Sequence, residues 1–339
     1  MQDRAIRKIL LIQAIEETDR SGEALPLAER TEATRAVIGN NPPAVETQAE
    51  APLSSATEWF LTRRADVLLR SLRSRSPGID HVLDVAGGAT SLDRGLLVLA
   101  FIAGILLSLL DGGSGINIFA PPLVLLLAWN LLAYLWLLGP GGRRHAARSW
   151  FGNFYARWSR SRVDRLLGHS TRFNAPLTPG LRRFAGDWWE IAQPLFQARA
   201  RRLLHFAAAL VALGLVAAYY FRAFVLRSAA GWEGGGAIGP ETAHAMLGML
   251  YGPAAVLSGI NIPSAEDITK LCWSAPSLAG VGEPASWVHL IALTACLYVV
   301  VPRLLITGLR TVTLWRLRNG LSLPAGIMTY VRTLFAASR

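Results

Sequence analysis

Glu241 and His244 lie three residues apart in "PETAHAM", a spacing that sets a carboxylate and an imidazole on one helical face. Such a pair can serve general acid–base chemistry. The same spacing also arises from a helix-start charge beside an exposed salt-bridge partner, and the flanking residues add no nucleophile. The six histidines are otherwise scattered. No His-x-x-x-His pair, Cys-x-x-Cys pair or acid pair with ligand spacing occurs, so no metal is expected. Two cysteines, Cys272 and Cys296, offer neither a disulfide framework nor a metal knuckle. The stretch "GWEGGGAIGPETAHAM" is rich in glycine but lacks the Gly-x-x-x-x-Gly-Lys-Ser/Thr phosphate loop, and it reads as a turn before a helix near 241–258. No Gly-x-Ser-x-Gly elbow is present. The expectation is a non-enzymatic protein with no catalytic residue and no cofactor.

A second kind of chemistry is electrostatic. Asn130, Arg222 and Arg303 stand inside runs that are otherwise almost wholly apolar. Ionisable groups in such runs mark ion paths, or they sit near a membrane surface and reach the headgroups. No Asp or Glu lies inside any run, and Asp111 sits at the very end of the first, so neither arginine has an evident partner. Arg303 lies sixteen residues beyond Trp287, about 24 Å along a helix, which favours a reach to the surface. Arg222 is its counterpart near the other end of the third run. Asn130 is expected to bond to a neighbouring helix.

The elements that must position these residues are four apolar segments, 95–110, 119–139, 203–226 and 287–309. A spanning helix needs about 20 apolar residues. The chain has 339 residues, 52% hydrophobic and 17% charged, with a net charge of +11. The predicted fold class is an all-α integral membrane protein with four transmembrane helices. The first carries Ala100, Gly104 and Ser108 at four-residue spacing, a stripe that lets another helix approach closely. The 140–202 loop holds thirteen arginines against three acids, and the 227–286 loop two basic residues against five acids. The tail after Leu309 carries five arginines and no acid. The positive-inside rule then puts 1–94, 140–202 and 310–339 in the cytoplasm and 227–286 outside as a helical cap. Residues 1–20 are charged throughout, so no cleavable signal peptide is expected.

Residues 1–94 read as cytoplasmic helices: one ending at Gly22, one with Pro26 in its first turn, and one opening on the capping-box pair Ser55 and Glu58. "NNPPAVETQAEAPLS" reads as a linker. In the basic loop, Phe151, Tyr155 and Trp158 share one helical face ringed by arginines, the pattern of a helix in the membrane interface. Aromatic–arginine interleaving also marks nucleic-acid binding. A loop between spans is basic and aromatic on its own account, so lipid and not nucleic acid is the expected partner. Pro194 is an expected kink, and Ser264 with Asp267 has capping spacing for a short helix.

The stretches "INIFAPPLVLLLAWNLLAYLWLL", "RARRLLHFAAALVALGLVAAYYFRAFVLRSAAGWE", "HAMLGMLYGPAAVLSGINIP" and "WVHLIALTACLYVVVPRLL" resemble the bacterial inner-membrane family DUF2868, a domain of unknown function. The resemblance covers about 95–309 and is weaker before it. It brings no active-site residues. Family members are often encoded beside a predicted GTPase, which implies such a partner. The expected role is an inner-membrane scaffold or anchor that docks a cytoplasmic protein. The alternative is an oligomeric small channel or transporter lined by Asn130, Arg222 and Arg303.

Overall fold

The computed structural model describes residues 1–39, 54–88, 90–111, 115–139, 150–169, 175–232, 238–272, 284–324 and 326–338. The expected linker lies almost wholly outside these, as do four arginines of the basic loop (Arg143, Arg144, Arg148 and Arg172), most of "DGGSG" and the glycine run at 233–237. The described residues are nearly all helical. The strands are β1, Ile116–Asn117, and β2, Ala230–Gly231, which pair in parallel. Four helical stretches are long and apolar enough to cross a membrane: Ser91–Asp111, Pro121–Leu138, Ala175–Val225 and Pro284–Asn319.

The chain divides into two compact units. Unit one is Met1–Thr90, Ser149–Ala200 and Thr311–Arg339; unit two is Ser91–Arg148 and Arg201–Arg310.

Unit one is built around α1, Asp3–Thr18. Ile6, Ile9, Leu10, Leu11, Ile12 and Ile15 are all buried, as in a helix enclosed on most sides. Against it pack α3 (Ser55–Arg75) and α4 (Ile79–Ala86), and α2 (Leu27–Ile38) packs on α3. Pro26 is the residue capping α2, and α1 ends at Thr18, before Gly22. The cap of α3 falls one residue earlier than expected: Ser54, not Ser55, accepts the Thr57 N–H at 3.2 Å. Helix α7, Trp150–His169, lies against α4. The first turns of α8, Thr178–Tyr220, reach α1 at Gly180, where a Cβ would press on Ile15. Trp188 of α8 donates to the Ala86 carbonyl at 2.8 Å.

Unit two contains α5 (Thr90–Leu107, extended by a tight turn to Asp111), α6 (Pro121–Leu138), the second half of α8, α9 (Pro240–Ser258) and α10 (Ala265–Lys270). Its last stretch is α11 (Pro284–Ala295), a π-helical turn at Cys296–Val300 and the start of α12 (Val301–Asn319). The small-residue stripe acts as expected at Gly104. A Cβ there would overlap the Val211 carbonyl, and one at Gly214 would overlap the Phe101 carbonyl, so α5 and α8 cross backbone to backbone. Tyr251, Trp287 and Trp232 are buried near the β1–β2 pair, and Tyr251 donates to the Ile118 carbonyl at 2.9 Å. Ser264 caps α10 as its spacing predicts.

The third and fourth spans are longer than the expected 203–226 and 287–309. The reason for the third is local: "RARRLLHF" holds no glycine or proline, so the loop helix runs straight into the span. The helix also continues through Pro194. The apolar helices keep large side chains outward, including Leu109, Trp129, Leu132, Trp136 and Leu138. An apolar surface of this extent fits lipid rather than water.

Candidate functional site

Asn130, Arg222 and Arg303 fall in two separate polar clusters of the long apolar helices, both within unit two. The first begins with Pro302. It has no N–H, so the Tyr298 carbonyl, four residues earlier, loses its helical donor. The Tyr134 hydroxyl of α6 donates to that carbonyl at 3.1 Å. One turn before Tyr134, on the same face, lies Asn130. Its Nδ2 donates to the Leu126 carbonyl at 2.8 Å, which leaves Oδ1 facing out from α6. Arg303 Nε donates to that Oδ1 at 2.7 Å, and Arg303 Nη1 lies 2.9 Å from Nδ1 of His205 on α8. The guanidinium stands over the Tyr134 ring, 5.0 Å from its centre. Arg303 is 6% exposed and Asn130 is 1% exposed.

This corrects the expectation that Arg303 reaches out to the headgroups without a partner. Three helices enclose it, and its partners are an amide, an imidazole and an aromatic face. An arginine only donates, so Nδ1 of His205 must accept, and the ring is the neutral Nε2–H tautomer. The cluster holds no nucleophile and no carboxylate. Its chemistry is that of a fixed cation with neutral neighbours.

Arg222 differs. It lies in a π-helical turn at Phe221–Val225 and donates through Nη1 to Asp111 Oδ2 at 3.1 Å and to the Ser108 carbonyl at 3.2 Å. Its Nη2 donates to the Gly115 carbonyl. Asp111 Oδ2 also accepts the Asn117 N–H at 3.3 Å. Arg222 is therefore neutralised, not free to snorkel, because the carboxylate at the end of the first span folds back onto it.

The remaining expected residues are placed as follows. Tyr155 is fully buried inside unit one and presents no surface to lipid, because its position on α7 faces the packed side. Phe151 and Trp158 are half-buried. The exposed aromatics of α7 are Trp150 and Phe154, with ring centres 5.9 Å apart. His244 Nδ1 donates to the Pro263 carbonyl at 2.8 Å, so the histidine has a structural use, and Glu241 is exposed in the first turn of α9. Among the described residues no group of three His, Cys, Asp or Glu side chains is placed to hold a metal.

His205 and Tyr134 were missed by reading the sequence for motifs. Their signal was spacing: Tyr134 lies one turn from Asn130, and Pro302 frees a carbonyl that some donor must meet. Against family models, curated proteins and solved structures, the chain has no match.

Proposed function

We propose that the chain is a non-enzymatic, multi-pass anchor of a bacterial inner membrane, with both termini in the cytoplasm, that docks a cytoplasmic partner through unit one. The observation that carries this reading is the make-up of unit one. Its three pieces are those that the charge distribution assigns to one side: the N-terminal helices, the basic loop and the C-terminal tail. Segments that fold into one compact body must share a compartment. A helical body of this size, joined to apolar spans and carrying exposed Trp59 and Leu27, suits the holding of a soluble protein. The resemblance noted above makes a GTPase the partner class to test first. The basic α7 adds attraction to anionic lipid. Transport is less favoured, because Asn130 bonds to Arg303 and Arg222 to Asp111 instead of lining an open path.

A photo-crosslinking residue at Trp59 of the full-length protein tests the reading in cells, beside one at Met249 of α9. Capture of a GTP-binding protein from the Trp59 site, and not from the Met249 site, is the expected result. Capture of further copies of this chain alone from both sites, or topology reporters that place the C-terminus outside, would sink it.

A further inference from the structure

We propose that Arg201, Arg303 and Arg310, gathered around His205, form a phosphate site, supplied by the headgroup of an anionic phospholipid. This rests on the reading of unit two as membrane-embedded and not on the docking of a partner.

The first ground is an uncompensated charge. Arg303 is buried with no carboxylate beside it. None lies along the neighbouring stretches of its helices: residues 112–163, 191–232 and 284–339 contain no Asp or Glu. A guanidinium withdrawn from water is costly unless an anion meets it, and amide or imidazole acceptors return only part of that cost. The missing counter-charge must come from outside these helices.

The second ground is the company Arg303 keeps. Tyr220 meets His289 at 2.7 Å, and His205 meets Arg303 at 2.9 Å, so α8 runs antiparallel to the α11–α12 stretch. Arg201 lies one turn from His205, and Arg310 two turns from Arg303. On antiparallel helices both steps lead to the same end, by about 6 Å and about 10 Å. Arg310 is close enough to Arg201 and to His205 for its charge to act on both. Both arginines are half-buried, open to a ligand yet held on rigid helices.

The third ground selects the source of the phosphate. Leu204, beside His205 on α8, and Leu304, beside Arg303 on α12, are 43% and 42% exposed. They give acyl chains an apolar track below a charged head. A phosphodiester with attached chains satisfies both parts, and basic pockets between spans are suited to such headgroups.

The test is native mass spectrometry of the full-length protein in detergent, with phosphatidylglycerol or phosphatidylcholine of the same chains, and separately with inorganic phosphate. Wild type should retain phosphatidylglycerol in preference to phosphatidylcholine. Arg303→Gln, and separately Arg201→Gln with Arg310→Gln, should each weaken that retention about tenfold, the loss of one charge-assisted contact or more. The double variant alters half-exposed residues only, and so reads the site even if Arg303→Gln misfolds. Arg63→Gln with Arg70→Gln, on exposed positions of α3, should leave retention unchanged. Equal retention of both lipids, or variants that match wild type, overturns the proposal. Binding of inorganic phosphate that displaces the lipid, with the same dependence on the variants, keeps the site and assigns it to a soluble anion. A failed search for a cytoplasmic partner would move none of these readouts.

Discussion

Unit one and unit two each bury an arginine, and the two are treated in opposite ways. In unit one, Arg64 is 2% exposed and every edge of its guanidinium is met. Nε donates to Thr34 at 2.8 Å, Nη1 to Tyr330 at 2.9 Å and Nη2 to Glu16 at 2.7 Å. Tyr330 donates in turn to Glu16. Burial lifts the Tyr330 phenol well above its ordinary value; Arg64 pulls against that lift and Glu16 adds to it, so the hydroxyl stays a donor. In unit two, Arg303 has acceptors but no anion. The difference separates a cation used as a rivet from a cation left with charge to spare. Only the second can offer an outside ligand much electrostatic gain.

Variants can break this contrast. The largest effect is expected from Glu16→Gln, which strands Arg64 without its counter-ion at a cost of about 3–5 kcal/mol. Hydrogen exchange of the α1 and α3 amides would report it as lost protection; unchanged exchange would mean Arg64 is no rivet. Asp111→Asn strands Arg222, which keeps two carbonyl acceptors, so about 1.5–3 kcal/mol is expected from the α5 and α8 amides.

Asp19 sharpens the unit-one side through pH. Burial works against its charge, but the Leu25 and Ala24 N–H groups, the Arg30 charge and the Glu23 N–H outweigh it and hold the carboxyl below its usual range. A depressed folded pKa gives stability that is complete above the unfolded value of about 3.9 and is lost as pH falls through the folded one. Asp19→Asn should cost about 1–2 kcal/mol at neutral pH and flatten the acid limb of unit-one stability. An acid limb as steep as that of wild type would remove Asp19 from the account. Tyr134→Phe frees the Tyr298 carbonyl and should cost about 1 kcal/mol. Arg303→Gln should cost least, within about 1 kcal/mol, because it deletes an uncompensated charge. A thermal midpoint that drops as far as that of Glu16→Gln would erase the contrast between the two arginines.

The spans were legible because run length and hydropathy are properties of the chain alone. The close approach at Gly104 was legible for the same reason, as was the Ser264 cap. The partners of the arginines were not. Asp111 stands 111 places from Arg222 in the chain, and only the crossing of α5 with α8 brings the two together. Arg303 meets Asn130 across 173 residues and His205 across 98. Tyr155 misled because one helical face looks the same in sequence whether it meets lipid or a protein core. The union of three distant stretches in unit one also has no local signature.

That union bears on how the chain is made. Arg64 waits for Tyr330, and 266 residues separate them. At about 5–20 residues per second, synthesis needs roughly 13–50 s to cover that distance. Every span emerges within this interval. Helix α13, Ile327–Ser338, which carries Tyr330, emerges after the four long apolar helices. The closing of unit one thus comes after the fourth long apolar helix has been made, and a chain that stalls before Tyr330 leaves Arg64 and Glu16 open. Completion of the polar rivet would then serve as a built-in proofreading step, separating finished molecules from those that quality-control proteases should remove.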